Sequence, residues 1–143
     1  MRGFLDELAR YGVEVPAARR AAGDFSFASG SAGAAALARA GQPDFTALFA
    51  ANDLMAMAAI GALSELGLRV PQRVSVIGYD DSIFATYTSP PLTTVHIPMD
   101  QLTVSACHQV LNDCYELNLP VEREFSPAIA WRSSVVPLSL IHI

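Results

Sequence analysis

Phe45-Thr46-Ala47-Leu48-Phe49-Ala50-Ala51-Asn52-Asp53-Leu54 and, further on, Val74-Ser75-Val76-Ile77-Gly78-Tyr79-Asp80-Asp81 decide the fold. Each is a short apolar run that stops at a polar corner. In the first, Asn52 and Asp53 are good N-caps for the apolar stretch Leu54 to Leu66, which Gly67 closes with Pro71 just beyond. The second has the length and β-branched content of a strand and delivers Asp80 and Asp81 at its C-terminal end. Strand, polar corner, helix and strand again predict an α/β architecture with a mainly parallel sheet.

The flanking sequence extends this pattern in both directions. On the N-terminal side, Phe4, Leu5, Leu8 and Tyr11 recur at helical spacing before Gly12, and a Gly/Ala-rich run from Ser29 to Ala40, ended by Gly41, reads as a second helix. Val13 to Pro16 is a link, and Gly23-Asp24-Phe25-Ser26 lies in a weakly patterned segment. On the C-terminal side, Leu92 to Ile97 is a β-branched strand, Leu102 to Leu117 an amphipathic helix and Ala128 to Val136 a last strand. No fixed-period repeat or low-complexity tract interrupts the order.

The chain has 143 residues, 52% of them hydrophobic, enough to build one compact core. Its formal charge is −5, with 9 basic residues scattered against 14 acidic ones, which is not the clustered stripe that tracks a phosphate backbone. Cys107 and Cys114 stand two helical turns apart, too far for an easy disulfide, and predict a reduced, cytosolic protein. The N-terminal stretch reaches Asp6 and Glu7 before any long apolar run, so no secretory signal is expected there, and no segment is long enough to span a bilayer.

In open parallel sheets ligands collect at the carboxyl ends of strands, where Asn52, Asp53, Asp80 and Asp81 all fall. An amide that donates and accepts, together with carboxylates that accept from hydroxyls, suits a polyol or sugar better than a phosphate, which would need glycines and cations. The same residues can equally serve only as a helix cap and a turn, and spacing alone does not separate the two readings. His96, His108 and His142 have no metal-ligand spacing, no serine sits in a nucleophile elbow, and adjacent Asp80 and Asp81 would point in different directions. An enzyme is therefore not expected, and neither a cofactor nor a metal is implied. Trp131 could be an aromatic sugar platform, but a lone Trp in a strand is more often a packing residue.

Four ordered motifs carry a more specific resemblance. Ala51-Asn52-Asp53-Leu54-Met55-Ala56, Gly67-Leu68-Arg69-Val70-Pro71, Val76-Ile77-Gly78-Tyr79-Asp80-Asp81 and Pro90-Pro91-Leu92-Thr93-Thr94-Val95 resemble the regulatory domain of the LacI/GalR family of bacterial transcription regulators. The similarity runs from about Gly3 to Val136, where Ala130-Trp131-Arg132-Ser133-Ser134 is similar to the family's last strand.

The resemblance implies a partial, two-lobed periplasmic-binding-protein-like fold of type I, with effector held in the cleft. It places residues 1–98 in the C-terminal lobe, 99–124 in a segment returning to the N-terminal lobe, 125–136 in the last crossover and strand, and 137–143 in a tail that no family strand accounts for. It assigns Asn52 and Asp80 to hydrogen bonds with effector hydroxyls and Phe25 to packing on the ligand ring. Ile97 falls where a polar cleft residue often lies. Met55, Met57, Ala58, Ala62 and Thr88 match homodimer positions, on a helix face expected to be an exposed apolar patch without its partner.

The implied function is the effector-binding and dimerisation portion of a DNA-binding repressor or activator that senses a sugar or related metabolite. Operator DNA would be reached only through a helix-turn-helix absent from this sequence, and no membrane is involved. An extracytoplasmic sugar-binding protein of a transport system on the same fold is the alternative. The family's effector-gripping arginine and the strand that leads into the first helix have no counterpart here. A sheet lacking its middle strand, with open edges and marginal stability, is the expectation.

Overall fold

A computed structural model describes residues 2–38, 43 and 45–137. Helix α1 (Arg2–Arg10) ends where Gly12 takes a φ of +73°, as its stop signal predicts. A 3-10 turn (Ala17–Arg19), for which the sequence has no strong signal, leads to α2 (Phe27–Ala38). This helix begins two residues ahead of the expected Ser29, because Ser26 and Ser29 tie its first turn together: the Ser29 N–H donates to Ser26 Oγ at 3.1 Å. The expected stop at Gly41 lies outside the described residues, as does the tail from Leu138.

Strand β1 (Ala47–Phe49), helix α3 (Asp53–Glu65), strand β2 (Ser75–Asp80), a 3-10 turn (Ile83–Thr86), strand β3 (Thr93–His96), helix α4 (Met99–Tyr115) and strand β4 (Ala128–Ala130) complete the order. The sheet runs β1-β2-β3-β4; the first three strands are parallel and β4 is antiparallel to β3. The last strand is much shorter than the expected Ala128 to Val136, since Ser134 leaves the β3 edge and inserts between β2 and β3. Its Oγ accepts the Thr93 N–H at 2.8 Å and donates to the Val76 carbonyl at 2.6 Å, while its own carbonyl takes the Val76 N–H.

The core lies between the sheet and α3, around Ala56, Ile60, Leu63, Val74, Val76 and Leu92. Small residues let the layers approach closely. A Cβ at Gly30 would stand 2.5 Å from the Met55 Cα, so α2 and α3 touch backbone to backbone, and a Cβ at Gly78 would stand 2.2 Å from Asp53 Oδ1.

Two regions carry little of this core. Among the described residues strand β1 pairs only with β2; beside it lies an apolar cavity of about 500 Å³, lined by Phe4, Leu8, Ala21, Leu37 and Leu48 among others. The Phe4 ring stacks on Phe49 there, 4.5 Å between centroids. Helix α4 rests on its own return segment: Ser105 Oγ exchanges two hydrogen bonds with the Glu122 backbone, and Asn112 does the same with Leu119. Met99, Leu102, Val104, Val110 and Leu111 remain exposed on α4, as do the two free thiols Cys107 and Cys114. Among the described residues no helix is long and apolar enough to cross a membrane.

Candidate functional site at the strand ends

The polar corners after β1 and β2 come together at one end of the sheet, because parallel register carries both strands in the same direction. Phe49 is level with Ile77, and the Ala50 N–H still donates to the Ile77 carbonyl at 2.9 Å. Beyond that point β1 has ended, while β2 stays paired with β3 as far as Asp80 opposite His96. Four described non-glycine residues have positive φ, and three of them are Phe25 (67°), Asp80 (113°) and Asp81 (55°). Such backbone is costly for a residue with a Cβ and tends to persist where surrounding contacts over-determine it, often at binding sites.

Those contacts are visible at each residue. Asn52 is the N-cap of α3: its Oδ1 accepts the Met55 N–H at 2.8 Å, while its Nδ2 donates to the Phe25 carbonyl at 3.0 Å. Of the two predicted caps, Asn52 therefore does the capping. Asp53 is the first residue of the helix and is fully buried, accepting from Thr94 Oγ1 and, at 2.7 Å, from the Ser82 N–H. It joins α3 to β3 and to the loop after β2.

Asp81 is clamped from two further elements. Arg132 Nη2 donates to its Oδ1 at 2.7 Å and His96 Nδ1 lies 3.0 Å from its Oδ2. Burial presses the Asp81 carboxyl upward, but the hydrogen bonds and charges of Arg132 and His96 outweigh it and hold the group below the usual carboxylate range. Asp80 lacks those partners. It is exposed, and its carboxylate makes no hydrogen bond among the described residues; partial desolvation, then the charge of Asp53, raises its carboxyl above the ordinary value.

Phe25 precedes α2 with its ring 62% exposed. Beside it, Asp24 Oδ1 accepts the Ser26 N–H, and the hydroxyls of Ser26 and Ser29 hold the Asp24 carboxyl down at about 2. Asn52 ties the Phe25 turn to the start of α3, and the next residue, Asp53, acts through its charge on Asp80. The arrangement contains no nucleophile–base pair, and among the described residues no group of three or more His, Cys, Asp or Glu could hold a metal.

Other predicted positions are placed differently. Ala58 and Ala62, expected on an exposed helix face, are buried; Ala62 packs with Ala34 of α2. Met55 and Met57 are half-buried against the core, and Thr88 donates to backbone carbonyls at Ala85 and Pro90. Exposed apolar surface lies instead at Leu54 on α3 and at Ile83, Phe84 and Tyr87 around the second 3-10 turn. Trp131, expected to pack, is 68% exposed, and Ile97 is half-buried. The roles of Asp53, Arg132 and Ser134 escaped the sequence reading, since their partners are far away in the chain.

A model of the periplasmic binding protein-like domain matches residues 1–135. The chain belongs to the periplasmic binding protein-like domain family. The HTH-type transcriptional repressor PurR of Escherichia coli O1:K1 is 38% identical over 137 residues, which are 94% of this chain and 40% of that protein. PurR of Erwinia tasmaniensis is 44% identical over 111 residues, 77% of this chain and 32% of that one. Among solved structures, the Escherichia coli transcriptional repressor ascG superposes with a TM-score of 0.84 at 34% identity, covering 94% of this chain and 49% of that one. The transcriptional regulator CelR in its cellobiose complex gives 0.82 at 35%, covering 93% and 41%. The chain spans about two fifths or less of the length of these curated PurR relatives, which are transcriptional repressors.

Proposed function

We propose that this chain is the effector-sensing and dimerising part of a cytoplasmic LacI-type regulator that binds a sugar or related metabolite and thereby changes the grip of its homodimer on operator DNA. The observation that carries this reading is that Phe25 and Asp80 are both exposed on strained backbone and are linked through the Asn52-Asp53 corner, Asn52 bonding Phe25 and Asp53 acting on the Asp80 charge. Asp80 is suited to accept from effector hydroxyls and Phe25 to lie against the ring, with Asn52 at the corner between them. Effector that binds one arrangement of the lobes more tightly shifts the population of that arrangement, so no chemical step is required.

In this reading residues 2–98 and 125–136 form one lobe and residues 99–124 belong to the other. The support is that β4 and Ser134 are bonded into β2 and β3, whereas α4 bonds mainly with its own return segment. The open edge of β1 and its apolar cavity would receive a strand from a longer chain, and residues 137–143 would be a tail. For the homodimer, half-buried Met55, Met57 and Thr88 are taken together with exposed Leu54, Ile83, Phe84 and Tyr87 as the apolar surface, while Ala58 and Ala62 are buried within the chain.

The test is operator binding by the intact protein, titrated with cellobiose, sucrose and glucose. Asp80→Ala is expected to weaken the effector response roughly tenfold or more while leaving operator affinity in place, as loss of one charged hydrogen-bond acceptor predicts. An unchanged response in Asp80→Ala would remove this residue from the site, and indifference to all three sugars would overturn the sugar class.

A further inference from the structure

Asn52 sits where a ligand contact is expected, but its amide is engaged within the protein. One end caps α3 through the Met55 N–H and the other grips the carbonyl of Phe25, 27 positions away in the chain. The gripped residue is strained, with φ of 67°, and its ring projects outward rather than into the core. A bulky aromatic does not hold a left-handed conformation on its own account.

The other contacts of the turn constrain its flanks. The Asp24 carboxylate takes the Ser26 N–H, the Asp24 N–H donates to Ser29 Oγ at 3.2 Å, and Ser29 bonds back to Ser26. Among the described residues, the bond from Asn52 is the one that reaches Phe25 itself from another element. Its two anchor points cannot drift apart, because α2 and α3 cross with Gly30 against the Met55 backbone. The amide therefore measures a fixed gap between the start of α3 and the turn before α2.

We infer that Asn52 is a positioning residue: it sets the direction in which the Phe25 ring is presented and contributes to ligand binding through Phe25 rather than by touching the ligand. The part about ligand binding rests on the proposed effector site; the strut itself does not. An amide is needed for both tasks at once, since a carboxylate or hydroxyl can cap the helix but cannot donate to a carbonyl at the same reach.

The experiment uses the intact protein with isotope-labelled phenylalanine, serine and methionine. A strong amide–Hα cross-peak within Phe25 reports its positive φ. In Asn52→Asp, and in Asn52→Ser as a second capping variant of different charge, the Met55 amide is expected to stay protected while the Phe25 cross-peak is lost and the Ser26 amide shifts. A Phe25 cross-peak that survives in either folded variant overturns the strut.

Binding of cellobiose then separates positioning from contact. Phe25→Ala combined with Asn52→Ser should bind no more weakly than Phe25→Ala alone, whereas losses that multiply would show that Asn52 touches the sugar and overturn the inference. A wild-type protein that ignores cellobiose would count against the sugar reading, and the cross-peak would still decide the strut.

Discussion

Asp80 holds its carboxylate on a φ of 113° with Asp53 nearby, and its raised protonation equilibrium means that the folded state disfavours the charge. A group raised in this way favours folding only below its unfolded value of 3.8, and that advantage is lost as pH rises through the folded value. Asp80→Asn is therefore expected to raise stability at pH 7 by a few tenths of a kcal/mol after solvent screening, and to give no gain at a pH below 3.8. Paired thermal melts at the two pH values check this; equal gains at both would contradict it. Asp24 has the opposite sign. Its carboxyl is held near 2 by serine hydroxyls, so its support for the first turn of α2 is complete above 3.8 and lost as pH falls through about 2. Titration followed at the Ser26 amide should show a midpoint near 2, and a midpoint at the ordinary value would remove the hydroxyl network from the account. The residue types at these corners were legible in the sequence. Their division of labour was not, because Asn52 and Asp53 look equally like caps until the partners Phe25, Thr94 and Ser82 are brought to them.

At the level of elements, α2 and α3 meet backbone to backbone. Gly30→Ala would drive a Cβ against the backbone of Met55, which cannot swing aside as a side-chain tip could. Overpacking of this kind is expected to cost about 1–3 kcal/mol, read as a lower denaturation midpoint, and an unchanged midpoint would show that the two helices separate easily. Asp53→Ala tests the corner joining α3 to β3. It leaves the Ser82 N–H and the Thr94 hydroxyl without their acceptor, and the loss of a buried ionic acceptor should cost about 2–4 kcal/mol in the same measurement. Helix periodicity and glycine stops predicted α1, α3, β2 and β3 closely. The sequence overextended β4 because Ile129, Trp131, Val135 and Val136 are strand formers on both sides of Arg132-Ser133-Ser134, while the bond from Ser134 into β2 ends the ladder early.

The whole molecule is unevenly supported. One core joins the sheet to α3, but β1 has an open edge beside its cavity and α4 leaves much of its apolar surface in water. The isolated chain is therefore expected to be marginally stable, and a cooperative melt well above ambient temperature for the monomer would contradict that expectation. The sequence by itself determined the α/β order, the family and the end of the sheet at which polar residues gather, because hydrophobic period, caps and stops are local properties of the chain. Only the tertiary structure decided that Asn52 braces Phe25, that Asp81 belongs to Arg132 and His96, and that Ala58 and Ala62 are covered. Hydrogen bonds and burial between residues distant in sequence depend on how helices and strands pack, and no local pattern records which side chain will stand opposite another.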